Sequence, residues 1–302
     1  MTSSRPTDTL VICTRNRARE LATCLASVQA ASPLPDRVLI VDSSDDPELA
    51  RGLVEGVGFE IRSRINYLHT APGLPLQRNI GVANSDTDIV HFIDDDVVVS
   101  PEYFGSILDA FLEPDVVGVC GFITNLGQRK RPSLFARRFF LDGEDGRVLP
   151  SGRNVLNFEP GDGVRPTDWL SGCSMSYRRR VLTVEQFDER LSGYALGEDV
   201  DLSSRVRGHG RLVFQPTARV VHDESPSMRW SHERVTRSEL RFRHQRVRAG
   251  HSGERMWAFW WSVVGQFVRD VGNAVRGSRH SAKHALWTCR GVADIALKRG
   301  SW

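Results

Sequence analysis

Cysteine is scarce in this chain and never paired. Its five residues, Cys13, Cys24, Cys120, Cys173 and Cys289, form no CxxC unit, which argues against a disulfide framework and a structural zinc site. They read as reduced, mostly packed thiols of a cytosolic protein. No apolar run approaches the roughly 18 to 20 residues that a spanning helix needs. The polar stretch from Met1 to Asp8 lacks the charged, apolar and small-residue order of a secretory signal. Also missing are GxxxxGK(S/T), a strand followed by GxGxxG, GxSxG and HExxH, which weakens P-loop, dinucleotide-binding, hydrolase and zincin readings. Gly52, Gly56 and Gly58 follow a helical pattern instead of opening one, and no internal repeat is present.

What is there describes an ordinary globular protein. The 302 residues are 40% apolar and 25% charged, with a mean hydropathy of -0.31, enough for one sizeable core with an appendage. The net charge of +3 conceals a division. The first 222 residues carry 25 basic and 30 acidic side chains, and the stretch from Asp223 to Trp302 carries 15 basic and 7 acidic ones. Six of the seven tryptophans (Trp230, Trp257, Trp260, Trp261, Trp287, Trp302) lie in that basic end. The sequence therefore divides at 222, into an acidic body of 1–222 and a helical extension of 223–302.

Short β-rich runs at Thr9 to Thr14, Arg37 to Asp42, Ile65 to His69 and Asp88 to Asp94 alternate with helical patterns at Arg17 to Ala30, Pro75 to Ala83 and Pro101 to Leu112. The alternation predicts an α/β fold, a mostly parallel central sheet flanked by helices, which binds ligands beyond the carboxyl ends of its strands. Val116 to Ile123 is a further strand. From Thr124 to Pro166 the periodicity fades into Gly, Pro and charge, which predicts a long mobile or functional loop. Order resumes at Asp168 to Tyr177, then a helix over Glu198 to Arg207 and strands at Arg211 to Phe214 and Ala218 to His222.

Three acidic clusters carry the chemistry. In Phe92-Ile93-Asp94-Asp95-Asp96, three carboxylates follow an apolar strand, and alternation puts Asp94 and Asp96 on one side. They repel unless a cation lies among them, and that oxygen pair suits Mg²⁺ or Mn²⁺. The alternative is solvated acids or a cap for the next helix, although Ser100 is better placed to cap. Asp42, followed by Ser43 and Ser44, either binds the polar edge of a base or ribose or makes an Asx-turn. In Gly197-Glu198-Asp199-Val200-Asp201-Leu202, a helix starting near Glu198 turns Asp199 inward and lets Asp201 pair with Arg205. Asp199 is then a general base, or the acids only stabilise the helix N-terminus. His222, closing a β-branched run, is a structural histidine or an imidazole ligand that favours Mn²⁺.

Together these pieces resemble the family 2 glycosyltransferases, inverting enzymes of GT-A fold, over roughly Thr9 to His222. The likeness rests on Val11-Ile12-Cys13-Thr14-Arg15-Asn16-Arg17, Val41-Asp42-Ser43-Ser44, Gln77-Arg78-Asn79-Ile80-Gly81, Ile93-Asp94-Asp95-Asp96, Trp169-Leu170-Ser171-Gly172 and Gly197-Glu198-Asp199. It implies that Thr14 and Arg17 flank a nucleotide, Asp42 reads its base, Arg78 lies near it, and Asp94 and Asp95 meet the ribose or metal side. It implies Asp96, Asp94 and His222 as metal ligands and Asp199 as catalytic base. Trp169, Ser171, Gly172 and Glu198 would line the donor-sugar and acceptor region. Many relatives have DxD with a small middle residue, so the triple Asp leaves open whether Asp95 or Asp96 is the direct ligand. The implied reaction moves a hexosyl or rhamnosyl unit from a UDP- or dTDP-sugar to a glycan or lipid-linked acceptor, in cell-surface polysaccharide synthesis at the cytoplasmic face.

Two other readings compete. A nucleotidyltransferase shares the ion and the sheet but needs a Gly-rich, Lys-bearing loop after the first strand, and Thr14 to Glu20 contains no glycine. A non-catalytic scaffold would keep the fold and bind through its tail, which the presence of Asp96 and Asp199 opposes. In the tail, Trp257, Trp260, Trp261, Val264, Val268 and Val271 share one helical face opposite Ser262, Gln266, Arg269, Asp270 and Asn273. A second pattern is Leu286, Cys289, Val292, Ala293, Ala296 and Leu297. These helices over 256–302 either pack on protein, including a homodimer partner, or contact a membrane surface. An acidic body without a reader motif makes nucleic acid an unexpected partner.

Overall fold

A computed structural model of the chain describes residues 5–297 apart from 128, 130, 162, 192–195, 224–230 and 251–252. Trp230 and Trp302 therefore lie outside the described residues. In chain order the elements are β1 (Asp8–Thr14), α1 (Ala18–Gln29), β2 (Arg37–Asp42), α2 (Pro47–Gly56), α3 (Phe59–Arg62), β3 (Ile65–His69), α4 (Leu74–Ala83) and β4 (Ile89–Asp94). They continue with β5 (Val97–Val99), α5 (Tyr103–Ala110), β6 (Val116–Ile123), α6 (Leu134–Arg138), β7 (Arg165–Pro166), β8 (Ser174–Arg178), α7 (Arg179–Leu182), α8 (Glu198–Val206) and β9 (Arg211–His222). Three long helices follow: α9 (His232–Ala249), α10 (Met256–Val275) and α11 (Arg279–Ala296).

The chain forms two compact units, 1–128 with 157–226 and 129–156 with 227–302. This differs from the division expected at 222, because 129–156 joins the C-terminal helices. That stretch was expected to be a long loop. It contains α6 and a bridge between Val148 and Asn154.

In the first unit the strands run in the order β3-β2-β1-β4-β8-β6-β9-β5, with β7 on β9. The first four are parallel, as the alternation of strand and helix requires. Beyond β4 the pairing turns antiparallel at β8, β5 and β7, and only β6 with β9 is parallel again. The parallel character thus belongs to the first half of a mixed sheet. Thr14 stands opposite Asp42, and Cys13 opposite Asp94, so three strands end in one row of polar side chains. In the other half, Val97 pairs with His222, which brings the end of β9 back to the residue after Asp96.

The central strands are buried on both faces, hence their continuous apolar runs. Val11, Val41, Val90, Phe92, Met175, Tyr177, Leu202 and Phe214 share one core cluster. Local chemistry explains what the periodicity missed. Asp46 caps α2 by accepting from the Glu48 N–H, with Pro47 in the first turn. Ser100 does not cap α5 with its hydroxyl; its carbonyl accepts from the Tyr103 N–H, and the helix starts after Pro101. The two expected strands at 211–214 and 218–222 are one strand, β9.

In the second unit Leu240, Val247, Phe259 and Val263 form the core, with Met256, Val292 and Ile295 against it. The helix α9 escaped the hydropathy pattern because it is dominated by arginine. Two of those arginines are buried and bonded: Arg243 donates to the Ser151 carbonyl (3.1 Å) and Ser262 Oγ (2.7 Å), and Arg246 pairs with Glu254 (2.5 Å). The polar face of α10 (Ser262, Gln266, Asp270) is the buried one, and its tryptophan face is exposed.

Phe92 is 1% exposed and lies edge-on to Phe187 at 5.3 Å. Phe92→Ala should cost about 3 to 5 kcal/mol through lost burial and the cavity left behind. Leu49→Ala, at a 63% exposed site, should stay within about 0.5 kcal/mol. Urea midpoints at unchanged slope measure both.

Candidate active site

The residues that end β1, β2 and β4 meet the loop before β8 and the start of α8. The middle carboxylate of the triple Asp turns inward. Asp95 accepts from Thr14 Oγ1 (2.7 Å) and from the Arg17 guanidinium (3.0 Å). Burial pushes its carboxyl up to about 7 against these two partners. The strand ends at Asp94, and Asp95 and Asp96 form the turn into β5; Arg17 also reaches Asp96 Oδ2 (3.4 Å). Ligand atoms of Asp94, Asp96 and His222 all lie within 4.8 Å of one another. His222 Nε2 is 3.2 Å from Asp96 Oδ1. Burial works against charge on that imidazole, but hydrogen bonds with Asp96 and Cys173 outweigh it and raise its pKa to about 11.

Two carboxylates and an imidazole are a donor set for Mg²⁺ or Mn²⁺. With ligands at about 2.1 Å, an octahedral ion sets neighbouring donors about 3 Å apart and opposite donors about 4.2 Å apart. The observed spacings, 3.2 Å between His222 Nε2 and Asp96 Oδ1 and no more than 4.8 Å across the three residues, are close to those values. Between the two carboxylates left open by the sequence, it is Asp96 that stands in this cluster and Asp95 that does not.

Behind Asp94 lies Arg78 on α4, whose guanidinium is 2% exposed. It pairs with Glu198 and donates to Asp94 Oδ1 (3.1 Å) and to the Gly172 carbonyl (3.1 Å). Burial opposes its charge, but Glu198 and Asp94 outweigh burial and raise its pKa. Burial raises the Glu198 carboxyl, to about 8, against the pull of Arg78. The resemblance put Arg78 beside a nucleotide and Glu198 beside a sugar; the structure bonds them to each other in the interior.

Gly172 completes the connection. Its N–H donates to Asp199 Oδ2 (3.0 Å), and the Val200 N–H donates to Asp199 Oδ1 (2.8 Å). A Cβ at Gly172 would stand 3.2 Å from Glu198 Oε1 and 3.3 Å from Arg78 Nη2, tight enough that the charged pair would have to shift by a few tenths of an ångström to admit it. Gly197, at φ 81°, turns the chain into α8. Burial raises the Asp199 carboxyl, and the two N–H groups oppose the rise. Asp201 faces away and pairs with Arg205 at 2.9 Å, as the helical spacing requires.

Asp42 is fully buried. Its Oδ1 accepts from the Ser44 N–H (2.8 Å) and hydroxyl (2.5 Å), which is the Asx-turn alternative, and Oδ2 accepts from Tyr67 (2.6 Å). Trp169 is buried, and the next residue's N–H donates to Ser203 Oγ (3.0 Å). Ser171 lies 3.4 Å from the Cys173 sulfur. Sequence reasoning missed Tyr67 and Gln77. Gln77 is buried and donates to the Thr14 and Val41 carbonyls at 3.1 and 2.7 Å, tying the ends of β1 and β2 together. Its place beside Arg78 was the available signal.

With this geometry in view, comparison with known proteins is decisive. The sequence model of Glycosyl transferase family 2 matches residues 9–182. The chain belongs to this family. As a family 2 glycosyltransferase it is 28% identical over 226 residues to the pre-mycofactocin glycosyltransferase of Mycobacterium tuberculosis, covering 73% of this chain and 43% of that one. The chain thus spans less than half the length of that relative. It is also 28% identical over 245 residues to the succinoglycan biosynthesis protein ExoM of Rhizobium meliloti, covering 75% of this chain and 71% of the other. The mannosyltransferase PcManGT from Pyrobaculum calidifontis, solved with GDP-Man and Mn²⁺, superposes with a TM-score of 0.63 at 14% identity, covering 99% of this chain and 89% of that one. GalNAc-T7, solved with UDP, GalNAc and Mn²⁺, gives a TM-score of 0.60 at 16% identity, covering 73% and 44%. The glycosyltransferase therefore has the GT-A fold expected from its sequence.

Removing one partner of the buried Arg78 and Glu198 pair strands the other charge. Glu198→Ala should destabilise the first unit by about 3 to 5 kcal/mol. An Arg78→Met/Glu198→Met double variant should lose less than the two single variants combined, read as urea midpoints; strict additivity would show that the two side chains act independently.

Proposed function

We propose that the chain is an inverting, metal-dependent glycosyltransferase that moves a sugar from a UDP- or dTDP-linked donor to a hydroxyl of a glycan or lipid-linked acceptor. The observation that carries this reading is one hydrogen-bonded chain joining the carboxylate cluster to the base. Asp94 accepts from Arg78, Arg78 donates to the Gly172 carbonyl, and the Gly172 N–H donates to Asp199.

Asp94, Asp96 and His222 would hold the ion. Bound there, Mg²⁺ or Mn²⁺ supplies Lewis-acid stabilisation of the departing diphosphate. Thr14, Arg17 and Asp95 lie on the nucleotide side, with Arg17 contributing positive charge near the phosphates. Asp42, held by Ser44 and Tyr67, shapes the loop that meets the base. Asp199 keeps lone pairs on both oxygens beyond the two N–H groups it accepts. It takes the proton of the acceptor hydroxyl as that oxygen attacks the anomeric carbon from the face opposite the leaving group, which inverts the configuration. Such help is worth about 10² to 10⁴ in rate. Trp169, Ser171, Gly172 and Glu198 form the wall next to this base.

The solved neighbours with Mn²⁺, UDP and GDP-Man support the metal and the diphosphate donor. Likeness to a succinoglycan biosynthesis protein supports a role in polysaccharide synthesis. No helix among the described residues is long and apolar enough to cross a membrane.

A thermal-shift screen of nucleoside diphosphates and nucleotide sugars with Mg²⁺ or Mn²⁺ tests the proposal. The expected result is a rise in Tm with a uridine or thymidine diphosphate that needs the ion and is lost in Asp96→Ala. An ion-independent shift would remove the metal from the account. Asp199→Asn should keep the donor-induced shift and lose transfer by about 10² to 10⁴. Because burial raises the Asp199 carboxyl above its ordinary value of 3.8 and only the ionised form accepts a proton, kcat should fall with decreasing pH at a point above 3.8. A profile flat down to that value would assign the proton to another group.

A further inference from the structure

The exposed face of α10 has no counterpart in the catalytic account. Trp257, Trp260, Trp261, Val264, Phe267, Val268, Val271 and Val275 are all exposed. At 100° per residue they fall within a sector about 120° wide and about 27 Å long. Single exposed apolar residues are ordinary, but a continuous row of eight on one helix is not. The opposite side of the helix is already occupied: Phe259 and Val263 lie in the core of the unit, and beside them Gln266 donates to Asp270 (2.8 Å), with His284 Nδ1 2.6 Å from the same carboxylate. The short helix α6 extends the surface. Phe139, at its end, stacks on Trp261 with ring centroids 4.6 Å apart, and Trp261 Nε1 donates to the Arg138 carbonyl (2.9 Å). Leu134 and Phe135 are exposed beside them.

The exposed charges on α6, α10 and α11 are of one sign. Arg131, Arg137 and Arg138 on and before α6, Arg276 at the end of α10, and Arg279 and Lys283 at the start of α11 are exposed. Neither α6, α10 nor α11 offers an exposed carboxylate: α6 has no acid, and Asp270 and Asp294 are buried. A twofold pairing of this face with a second copy would bring arginines together without acids to meet them. Tryptophan and phenylalanine ringed by arginine match instead the apolar and anionic layers of a lipid headgroup region.

We propose that the outward face of α10 with α6 is a bilayer-docking surface, in which the aromatic row enters the interface and the flanking arginines and Lys283 bind anionic headgroups. The surface stands on its own observations and does not rest on the donor reading of the carboxylate cluster.

Vesicle sedimentation of the full chain tests it, using phosphatidylcholine alone and phosphatidylcholine with phosphatidylglycerol. The expected result is binding that needs the anionic lipid, weakens with salt, and is accompanied by a blue shift of tryptophan emission and its quenching by brominated lipid. Val264→Ser/Val268→Ser should weaken binding about tenfold, and Arg137→Gln/Arg138→Gln should weaken it on anionic vesicles, with the melting temperature of each variant as a folding control. The wild-type emission and quenching need no variant, so a variant that fails to fold leaves the test intact. Salt-sensitive binding without blue shift or quenching would overturn insertion. A concentration-dependent dimer without vesicle binding would assign the face to a second copy, and a monomer that ignores both vesicles would leave the surface without this role. Donor-induced thermal shifts, measured separately, report on the catalytic unit and are unaffected by any of these outcomes.

Discussion

A guanidinium taken out of water dictates the arrangement of the catalytic unit. Arg78 is buried and must be answered by opposite charge and by acceptors in the right plane. Its answers come from three distant parts of the chain: Asp94 at the end of β4, Glu198 at the start of α8, and the Gly172 carbonyl. Each of those segments is fixed in turn. The charged groups stand close against Gly172, and its N–H donates to Asp199. One buried ion pair thereby holds Asp199 and the carboxylate cluster in a common frame.

The same economy of position governs the triple Asp. Three adjacent carboxylates are tolerable because the backbone separates them. Asp95 bonds Thr14 and Arg17, Arg17 also reaches Asp96, and Asp94 and Asp96 stand close to His222. The antiparallel return of β9, with Val97 opposite His222, delivers the imidazole. Neighbouring charges that would repel in one plane are thus divided between a buried network and a potential ion site.

In the second unit, arginine does the work that apolar residues do elsewhere. Arg243 and Arg246 are buried and bonded to Ser151, Gly152, Ser262 and Glu254, which binds 129–156 to the long helices. With the inner side of α10 occupied by core packing of Phe259 and Val263 and by the bonds of Ser262, Gln266 and Asp270, its tryptophan row is left at the surface. A hydropathy pattern finds an amphipathic helix correctly and says nothing about which face is inside when the polar face has partners.

Much was legible in the sequence because it was local. Strands β2, β3 and β6 have the limits read from their apolar runs, and the i to i+4 pairing of Asp201 with Arg205 follows from helical period alone. The family itself was legible from short motifs in order. What remained hidden depended on contacts between segments far apart in the chain. The bond between Arg78 and Glu198 spans 120 residues, Tyr67 reaches Asp42 across neighbouring strands, and 129–156 leaves the unit on either side of it in sequence. Sequence settled which residue types stand at each strand end; tertiary structure decided which face of each helix is buried and which charges meet, because those outcomes turn on partners that no local period encodes.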